Sequence, residues 1–343
     1  MSGGSQRGPG GEDAVLQLVI FDLEWNIGYK PRMFDYHGVE QTLRGEIIQI
    51  GAVKVDPAGR VQDRFTITLK PRIFRKLQHH IAKVTGMTQQ QLDSGVPIRE
   101  GLQRFLDWCG PDTALAEWGL DDVPVLKQNL FINHIDENWP CQWYDLQQVF
   151  LAQHPRQEGE GMTLESVVER MGLPRERPFH DALADAEYTA EVCQCIDLEA
   201  GLAAYPTEDQ QMLDALTGDE GDYRDFAVFG PELDRESWRQ HPQAQDSRCP
   251  ECGAVLQKDG DDVWLKRGNT GYYSLQTCPL HGAWLVRYKL IRRDGLHWRI
   301  GRIYEKPTPA QLDKWKKQRA QTLARMRRAA EKAARERVEA AGK

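Results

Sequence analysis

The stretch Leu18 to Asn26, reading LVIFDLEWN, restricts what this chain can fold into more than any other. Its apolar run, rich in β-branched residues, is that of a buried strand. The strand then delivers Asp22 and Glu24, two positions apart. Side chains at that spacing leave the same face of a strand, so two carboxylates project together from its end. Acids that close repel each other unless a proton or a cation lies between them. Hard oxygen ligands of this kind suit Mg²⁺ or Mn²⁺. Taken alone, D-x-E is more often just the solvated end of a strand, so the rest of the chain decides between the two.

At 343 residues the chain suggests two or three domains. No apolar run reaches the roughly 18 residues of a membrane span. Residues 1–13 are Gly-rich without an apolar core and read as a disordered leader. The cysteines number seven, and Cys109, Cys141, Cys193 and Cys195 scatter through apparent core elements, which predicts reduced thiols and a cytoplasmic location. From Lys306 onward there are 12 Lys and Arg against 4 Asp and Glu, whereas the whole chain carries −7. An acidic body with a basic tail fits a handler of nucleic acid without being specific to one.

After the opening strand, residues 27–45 show no period and read as a functional loop, in which Tyr29, Lys30, Arg32 and Arg44 are candidates to touch phosphates or bases. Residues 46–56 and 61–69 form two further strands around a Pro-Ala-Gly turn, completing an antiparallel meander. KVTGMT lies in a turn between short helices. A helical stripe follows over 97–109, a short buried strand over 113–118, and helices from about 121 to 133, over 146–151 behind an Asp145 cap, over 163–171 and over 181–201. The expected class is α/β, a mixed sheet flanked by helices, over residues 14–204. Residues 205–247 read as an acidic linker.

Two more clusters look chemical. WGLDDVPVL places an acid pair at a strand-to-helix turn, where Asp121 is also a natural helix N-cap. HDALADAEYTA puts His180 five residues before Asp185. Within one helix the two would point about 140° apart. They share a site only if His180 lies on the loop entering the helix, and Pro178 makes a boundary there.

In order, then, the chain offers Asp-x-Glu on a first strand, an Asp after a short strand, and His-x₄-Asp opening a late helix. This resembles the DEDDh family of 3′→5′ exonucleases with their ribonuclease H-like fold. EIIQIGAV is similar to that family's second strand, KVTGMT to its TGIT-like turn, and WGLDDVPVL to its W-G-x-x-D-x-x-V-L element. The likeness runs from about Ala14 to Ile196. It is nearest to sporulation-inhibitor-type exonucleases and to exoribonucleases that trim histone mRNA and small-RNA ends. It implies Asp22, Glu24, Asp122 and Asp185 as ligands of two Mg²⁺ or Mn²⁺ ions and His180 as general base. Asp22 would bridge both ions, Glu24 and Asp185 would hold the ion that activates water, and Asp122 would act partly through ordered water. The family's acid falls four positions after the tryptophan, which selects Asp122; a slip of one would select Asp121. Trp25 and Asn26 stand where many members have small hydroxyl residues, so Trp25 either stacks on a base or fills the core. The chemistry agrees with the residue types: two divalent cations can activate water and stabilise a leaving 3′ oxyanion, and an imidazole, with a reference pKa of about 6.5, can accept a proton at neutral pH.

Cys249 and Cys252 form CPEC, and Cys278 and His281 form CPLH after 25 intervening residues. This is similar to a zinc ribbon, with one structural Zn²⁺ in a closed Cys₃His site, expected over 248–305. Lys266, Arg267, Tyr272, Tyr273, Trp284, Arg287 and Tyr288 interleave basic and aromatic residues, a composition that suits single-stranded nucleic acid, an ordinary β surface or a protein interface. Thr308 opens a long basic helix within 306–343. The functional expectation is a metal-dependent 3′→5′ exonuclease on single-stranded nucleic acid, RNA before DNA. The alternatives are a DNA repair exonuclease, or an adaptor that binds a protein partner through the ribbon or the helix.

Overall fold

The computed structural model describes residues 17–139, 142–217, 223–258 and 263–341. The leader expected over residues 1–13 and Cys141 lie outside them. The chain divides into two compact units: one runs to Tyr205 and includes Arg293–Leu296, the other holds Pro206–Arg292 and continues from His297.

The first unit contains β1 (Gln17–Asn26), β2 (Arg32–Tyr36), β3 (Val39–Leu43), β4 (Glu46–Val55), β5 (Val61–Lys70), α1 (His79–Thr85), α2 (Gln89–Ser94), β6 (Val96–Pro97), α3 (Ile98–Cys109), β7 (Thr113–Glu117), α4 (Asp122–Ile132), β8 (Trp143–Asp145), α5 (Leu146–Gln153), α6 (Leu164–Arg170), α7 (Ala182–Cys193) and α8 (Leu198–Ala203). Its sheet has the order β6-β5-β4-β1-β7-β8. β1 pairs antiparallel with β4 and parallel with β7, so the predicted meander grows into a mixed sheet with β1 at its centre. One face packs on α3 and α4 through Phe21, Leu23, Phe105 and Leu126; the other packs on α5 and α7 through Ile20, Leu146 and Ala186. Apolar residues on both faces are what an uninterrupted run such as LVIF provides.

Two local expectations change. Residues 27–45 are not a plain loop: β2 and β3 form a two-stranded hairpin. The helix expected over 181–201 is broken, because α7 ends at Cys193 and Asp197 caps a new helix by accepting from the Ala200 N–H. The KVTGMT turn behaves as expected: Gly86 closes α1 with φ of 68°, and Thr88 with Gln91 forms a capping box that starts α2.

The second unit contains α9 (Glu208–Thr217), β9 (Tyr223–Glu232), α10 (Pro242–Gln245), β10 (Gln257–Lys258), β11 (Leu265–Arg267), β12 (Gly271–Cys278), β13 (Gly282–Ile291), β14 (Trp298–Glu305) and α11 (Pro309–Ala341). Its sheet runs β10-β12-β13-β14-β9, with β11 on β12. The expectation of a linker over 205–247 is therefore corrected. β9 is an edge strand of this sheet, and α9 covers it with Met212 and Leu216 packed on Ile303. The acidic composition that suggested a linker belongs to the solvent side of a helix that turns Met212 and Leu216 inward. Tyr272, Trp284 and Tyr288 are also corrected: each is at most 2% exposed and fills the core, so none is a stacking surface. Strand alternation hid this, since it puts an aromatic inward and a cation outward at neighbouring positions.

Candidate active site and a cysteine–histidine cluster

β1 brings Asp22 and Glu24 to the end of the sheet, opposite Gly51 and Gln49 of β4. A Cβ on Gly51 would stand 2.0 Å from the Leu183 nitrogen. The start of α7 thus lies directly on β4, at a closeness only glycine permits. Gln49 fastens it there, donating to Asp181 Oδ2 at 2.9 Å and accepting from the Ala182 N–H at 3.4 Å. Asp181 in turn caps α7 by accepting from the Ala184 N–H. Asp185 follows in the first turn of that helix, and His180 stands on the loop before it with φ of 63°. The His180 main-chain N–H donates to Asp185 Oδ2 at 2.9 Å. Ligand atoms of Glu24, His180 and Asp185 all lie within 4.8 Å of one another. His180 is exposed while Asp185 is buried, so the imidazole stands at the mouth of the cluster.

Of the acid pair at the end of β7, the two members have different fates. Asp121 has 81% of its side chain exposed and pairs with Arg44 at 3.1 Å. Asp122 is 7% exposed, begins α4, and interacts with Asp22. Its N–H donates to Glu117 Oε2 at 2.7 Å, and that of Val123 to Glu117 Oε1 at 3.4 Å. Glu117, fully buried at the end of β7, escaped the sequence reading. The only signal for it was a lone acid closing the apolar strand TALAE, one residue before Trp118.

Electrostatics mark this cluster strongly. Burial, then Asp122, Asp185 and Glu24, holds Asp22 well above the usual carboxylate range. Burial and the neighbouring Asp185 and Asp122 push Glu24 up to about 8. Asp122 also rises to about 8, through burial and Asp121, against the pull of the Leu23 N–H. Asp185 reaches about 6, raised by burial and lowered in part by the His180 N–H. Glu117 is held high by burial and Asp122. Asp185 Oδ1 is buried with no hydrogen-bond partner. Clustered acids that keep their protons, with a carboxylate oxygen left over, have the donor set and the electrostatic need of a divalent-cation site.

The other residues predicted for substrate take different positions, Arg44 at the Asp121 carboxylate beside Asp122. Trp25 packs against the main core, in contact range of Gly45. Asn26 is fully buried: it donates to the carbonyls of Phe74 and Lys76 and accepts from the Gln78 N–H. Tyr29, Lys30 and Arg32 are exposed, at the entrance to and start of the β2–β3 hairpin.

In the second unit, Cys249 and Cys252 sit in the tight turn closed by the Arg248–Val255 bridge, Cys278 ends β12, and His281 occupies the turn into β13. Cys249 Sγ lies 3.5 Å and Cys278 Sγ 3.7 Å from His281 Nδ1, and Cys252 Sγ is 3.7 Å from Cys278 Sγ. A tetrahedron with metal–sulfur arms of about 2.3 Å has edges of about 3.8 Å, so the four ligands already stand at zinc spacing, far outside disulfide range. Glu251 faces His281 Nε2 at 3.5 Å, and Lys306 donates to the His281 carbonyl at 2.7 Å. Such outer partners fix which imidazole nitrogen meets the metal. Among the described residues no helix is long and apolar enough to cross a membrane.

Comparison with known proteins agrees with the first unit. The chain is 32% identical over 184 residues to a PolC-type DNA polymerase III of Thermotoga petrophila, covering 52% of this chain and 13% of that one. It is 31% identical over 121 residues to the probable 3′-5′ exonuclease KapD of Bacillus subtilis, covering 34% and 55%. The chain thus spans about a tenth of its PolC-type relatives. Among solved structures, a 3′-exonuclease that recognises the histone mRNA stem-loop aligns at TM-score 0.45 and 16% identity, covering 53% of this chain and 82% of that one. Exonuclease I of E. coli in complex with a dA16 oligonucleotide also aligns at 0.45 and 16%, covering 80% and 55%. The family model described as Exonuclease matches residues 19–193, just over half of the chain, which therefore belongs to the exonuclease family.

Proposed function

We propose that the protein is a metal-dependent 3′→5′ exonuclease acting on single-stranded nucleic acid, RNA before DNA. The observation that carries this reading is the cluster of four acids, three of them held protonated well above their ordinary range, with an unpartnered Asp185 oxygen beside an exposed imidazole.

Asp22, Glu24, Asp122 and Asp185 would hold two Mg²⁺ or Mn²⁺ ions, which when bound supply an activated water and stabilisation of the charge on the leaving oxygen. The protein's own part is distinct. Asp122, Asp185 and Glu24 all raise Asp22, in that order, so Asp22 would be the acid that serves both ions. Glu24 and Asp185 gather with His180 on one side, which is where the attacking water belongs. His180 accepts the water's proton on its ring while its backbone N–H holds Asp185. The new P–O bond forms as the P–O3′ bond breaks, releasing a 5′-mononucleotide and a strand with a fresh 3′ hydroxyl. Cys249, Cys252, Cys278 and His281 would hold one structural Zn²⁺, with no position left open for catalysis. The free thiols of Cys109 and Cys193 in the core support a reducing, cytoplasmic setting.

RNA follows from the resemblance to exoribonucleases. A second reading, DNA, is supported by relatives that are themselves DNA polymerases. The test is a 5′-labelled RNA and a DNA of equal sequence, with Mg²⁺ or Mn²⁺, beside His180→Ala. A ladder shortening from the 3′ end, lost in the variant, supports the reading, and the faster strand names the substrate. No hydrolysis of either strand overturns it in favour of an adaptor.

A further inference from the structure

The second unit carries a cationic cleft that the active site does not account for. It measures about 320 Å³ and lies between the start of α11 and the face of β11–β12–β13, lined among others by Arg267, Tyr273, Arg287, Lys314, Trp315 and Gln318. Strand register explains its charge. Leu265 pairs with Tyr273 and Tyr273 with Arg287, so these three side chains share one face, and Arg267, two residues beyond Leu265, joins them. Lys266 also borders the cleft, but its ammonium turns to the Tyr272 ring, 6.0 Å away. α11 closes the cleft by burying Trp315 against Val263, Leu265 and Leu285, and Tyr273 hydrogen-bonds Gln318 across it.

Two features point to an anion. Arg267 and Lys314 are exposed and have no carboxylate within ion-pair distance among the described residues. Arg287, by contrast, is already paired with Glu305 at 2.5 Å and donates to the Leu216 carbonyl, so it is a wall of the cleft and not its anion contact. Trp315 is 3% exposed, and its indole N–H is buried without an acceptor. Buried donors are ordinarily satisfied, so a cleft-lining residue with an unmet one calls for an acceptor. The charge also continues past the cleft. At 100° per residue, Lys314, Lys317, Arg325 and Arg328 fall along one side of α11, a ridge of about 21 Å at 1.5 Å per residue. All four are exposed.

We propose that this cleft and ridge bind the phosphodiester backbone of a single strand, one phosphate seated between Arg267 and Lys314 and the following phosphates along α11. The inference rests on the nuclease reading for the identity of the strand, not for the existence of the site. An elongated row of cations beside a rigid pocket suits a polyanion of regular spacing, whereas an acidic protein segment would need no seated group.

The test is fluorescence anisotropy of a labelled 20-nucleotide single strand with the full chain, without added Mg²⁺ or Mn²⁺ so that nothing is cut. Arg267→Gln combined with Lys314→Gln should weaken binding about tenfold or more, and should lower the slope of log Kd against log salt by about 1.4, since each single-strand phosphate contact contributes about 0.7. Retained zinc content shows that the variant is folded. Unchanged affinity and slope overturn the proposal and leave the ridge as a surface for water or an acidic protein. Hydrolysis by the wild-type chain is measured separately. A strand bound through these residues but never cut sinks the nuclease reading and keeps the site; a strand cut but bound equally by the variant does the reverse.

Discussion

The two clusters able to hold metal are built on opposite principles. In the second unit, three thiols and an imidazole converge at zinc spacing from two tight turns, and backbone N–H groups of Glu251 and Cys252 outweigh the burial that would raise the Cys249 thiol. That set is closed, and it resembles a site whose ion completes the fold. In the first unit, carboxylates are pressed together by a sheet and two helices with an apolar core of their own, and the crowding shows as acids held above their ordinary range. Where the fold imposes repulsion, a cation would relieve it, and its removal would leave the unit folded. Where an ion completes a small module, its removal would unfold that module.

The largest expected effect follows directly. Stripping Zn²⁺ with a strong chelator, or making Cys278→Ser, should unfold the second unit and leave the first, because structural zinc contributes on the order of 10 kcal/mol in small modules. Thermal melts should then split into two transitions. If the second unit melts unchanged after its zinc is gone, the contrast between the clusters fails.

The acid site should respond in the other direction. For a carboxyl raised from its unfolded value to about 8, as Glu24 and Asp122 are, the native state binds more protons than the unfolded chain between pH 4 and 8. Stability should therefore fall as pH rises through that window. Free of divalent cations, the first unit should lose at least about 5 °C in Tm from pH 5 to pH 8.5, with about 2–4 °C reflecting each kcal/mol in a domain this size. Adding Mg²⁺ should flatten the curve, and Asp22→Asn should raise the metal-free Tm at pH 8 while lowering hydrolysis at least about 10³-fold. A metal-free Tm that rises with pH would mean that the acids are not in conflict.

How much of this contrast could be read in advance differs between the clusters for a physical reason. The thiols and imidazole of the second unit are sequence-local pairs, so their spacing alone marks them as a candidate zinc site. The acids come from three separate elements, β1, α4 and α7, and order plus resemblance assembled them. The resemblance named His180, and helical geometry added the condition that it precede the helix, where it stands. The resemblance chose Asp122 over Asp121 by its distance from Trp118, and in the structure one residue's rotation separates an exposed partner of Arg44 from a buried neighbour of Asp22. Gly51, Gln49 and Glu117 were not legible. Each matters through what packs against it, and a close backbone approach between β4 and α7 leaves no trace in composition. The same limit hid β9 inside a stretch that composition assigns to a linker.

Gly51→Ala tests whether the acids depend on that approach. The added methyl would meet the Leu183 nitrogen at 2.0 Å and the Ala182 carbonyl carbon at 2.1 Å. Backbone cannot yield as a side chain does, so α7 must shift, at about 1–3 kcal/mol. Because α7 carries Asp185 and follows His180, activity should fall by more than that loss of stability explains, on the order of 10²-fold. Retained activity with lowered Tm would show that the site tolerates displacement of one wall.

The smallest effect should come from Glu117→Gln. The carboxylate uses both oxygens to receive the N–H groups of Asp122 and Val123. An amide offers one acceptor oxygen and turns an NH₂ toward the other N–H, costing about 1–3 kcal/mol for a buried donor left unmet. Against that, the substitution removes a negative charge that helps raise Asp22. The two effects separate by measurement. Loss of the helix-start contacts should lower Tm at pH 5, where the acids are largely protonated. Relief of repulsion should narrow the deficit at pH 8. A Tm difference that shrinks between pH 5 and pH 8.5, with weaker Mg²⁺ binding at the higher pH, places Glu117 as the residue that holds Asp122 in position and adds to the field of the cluster. A deficit that stays constant with pH assigns it the first of those roles alone.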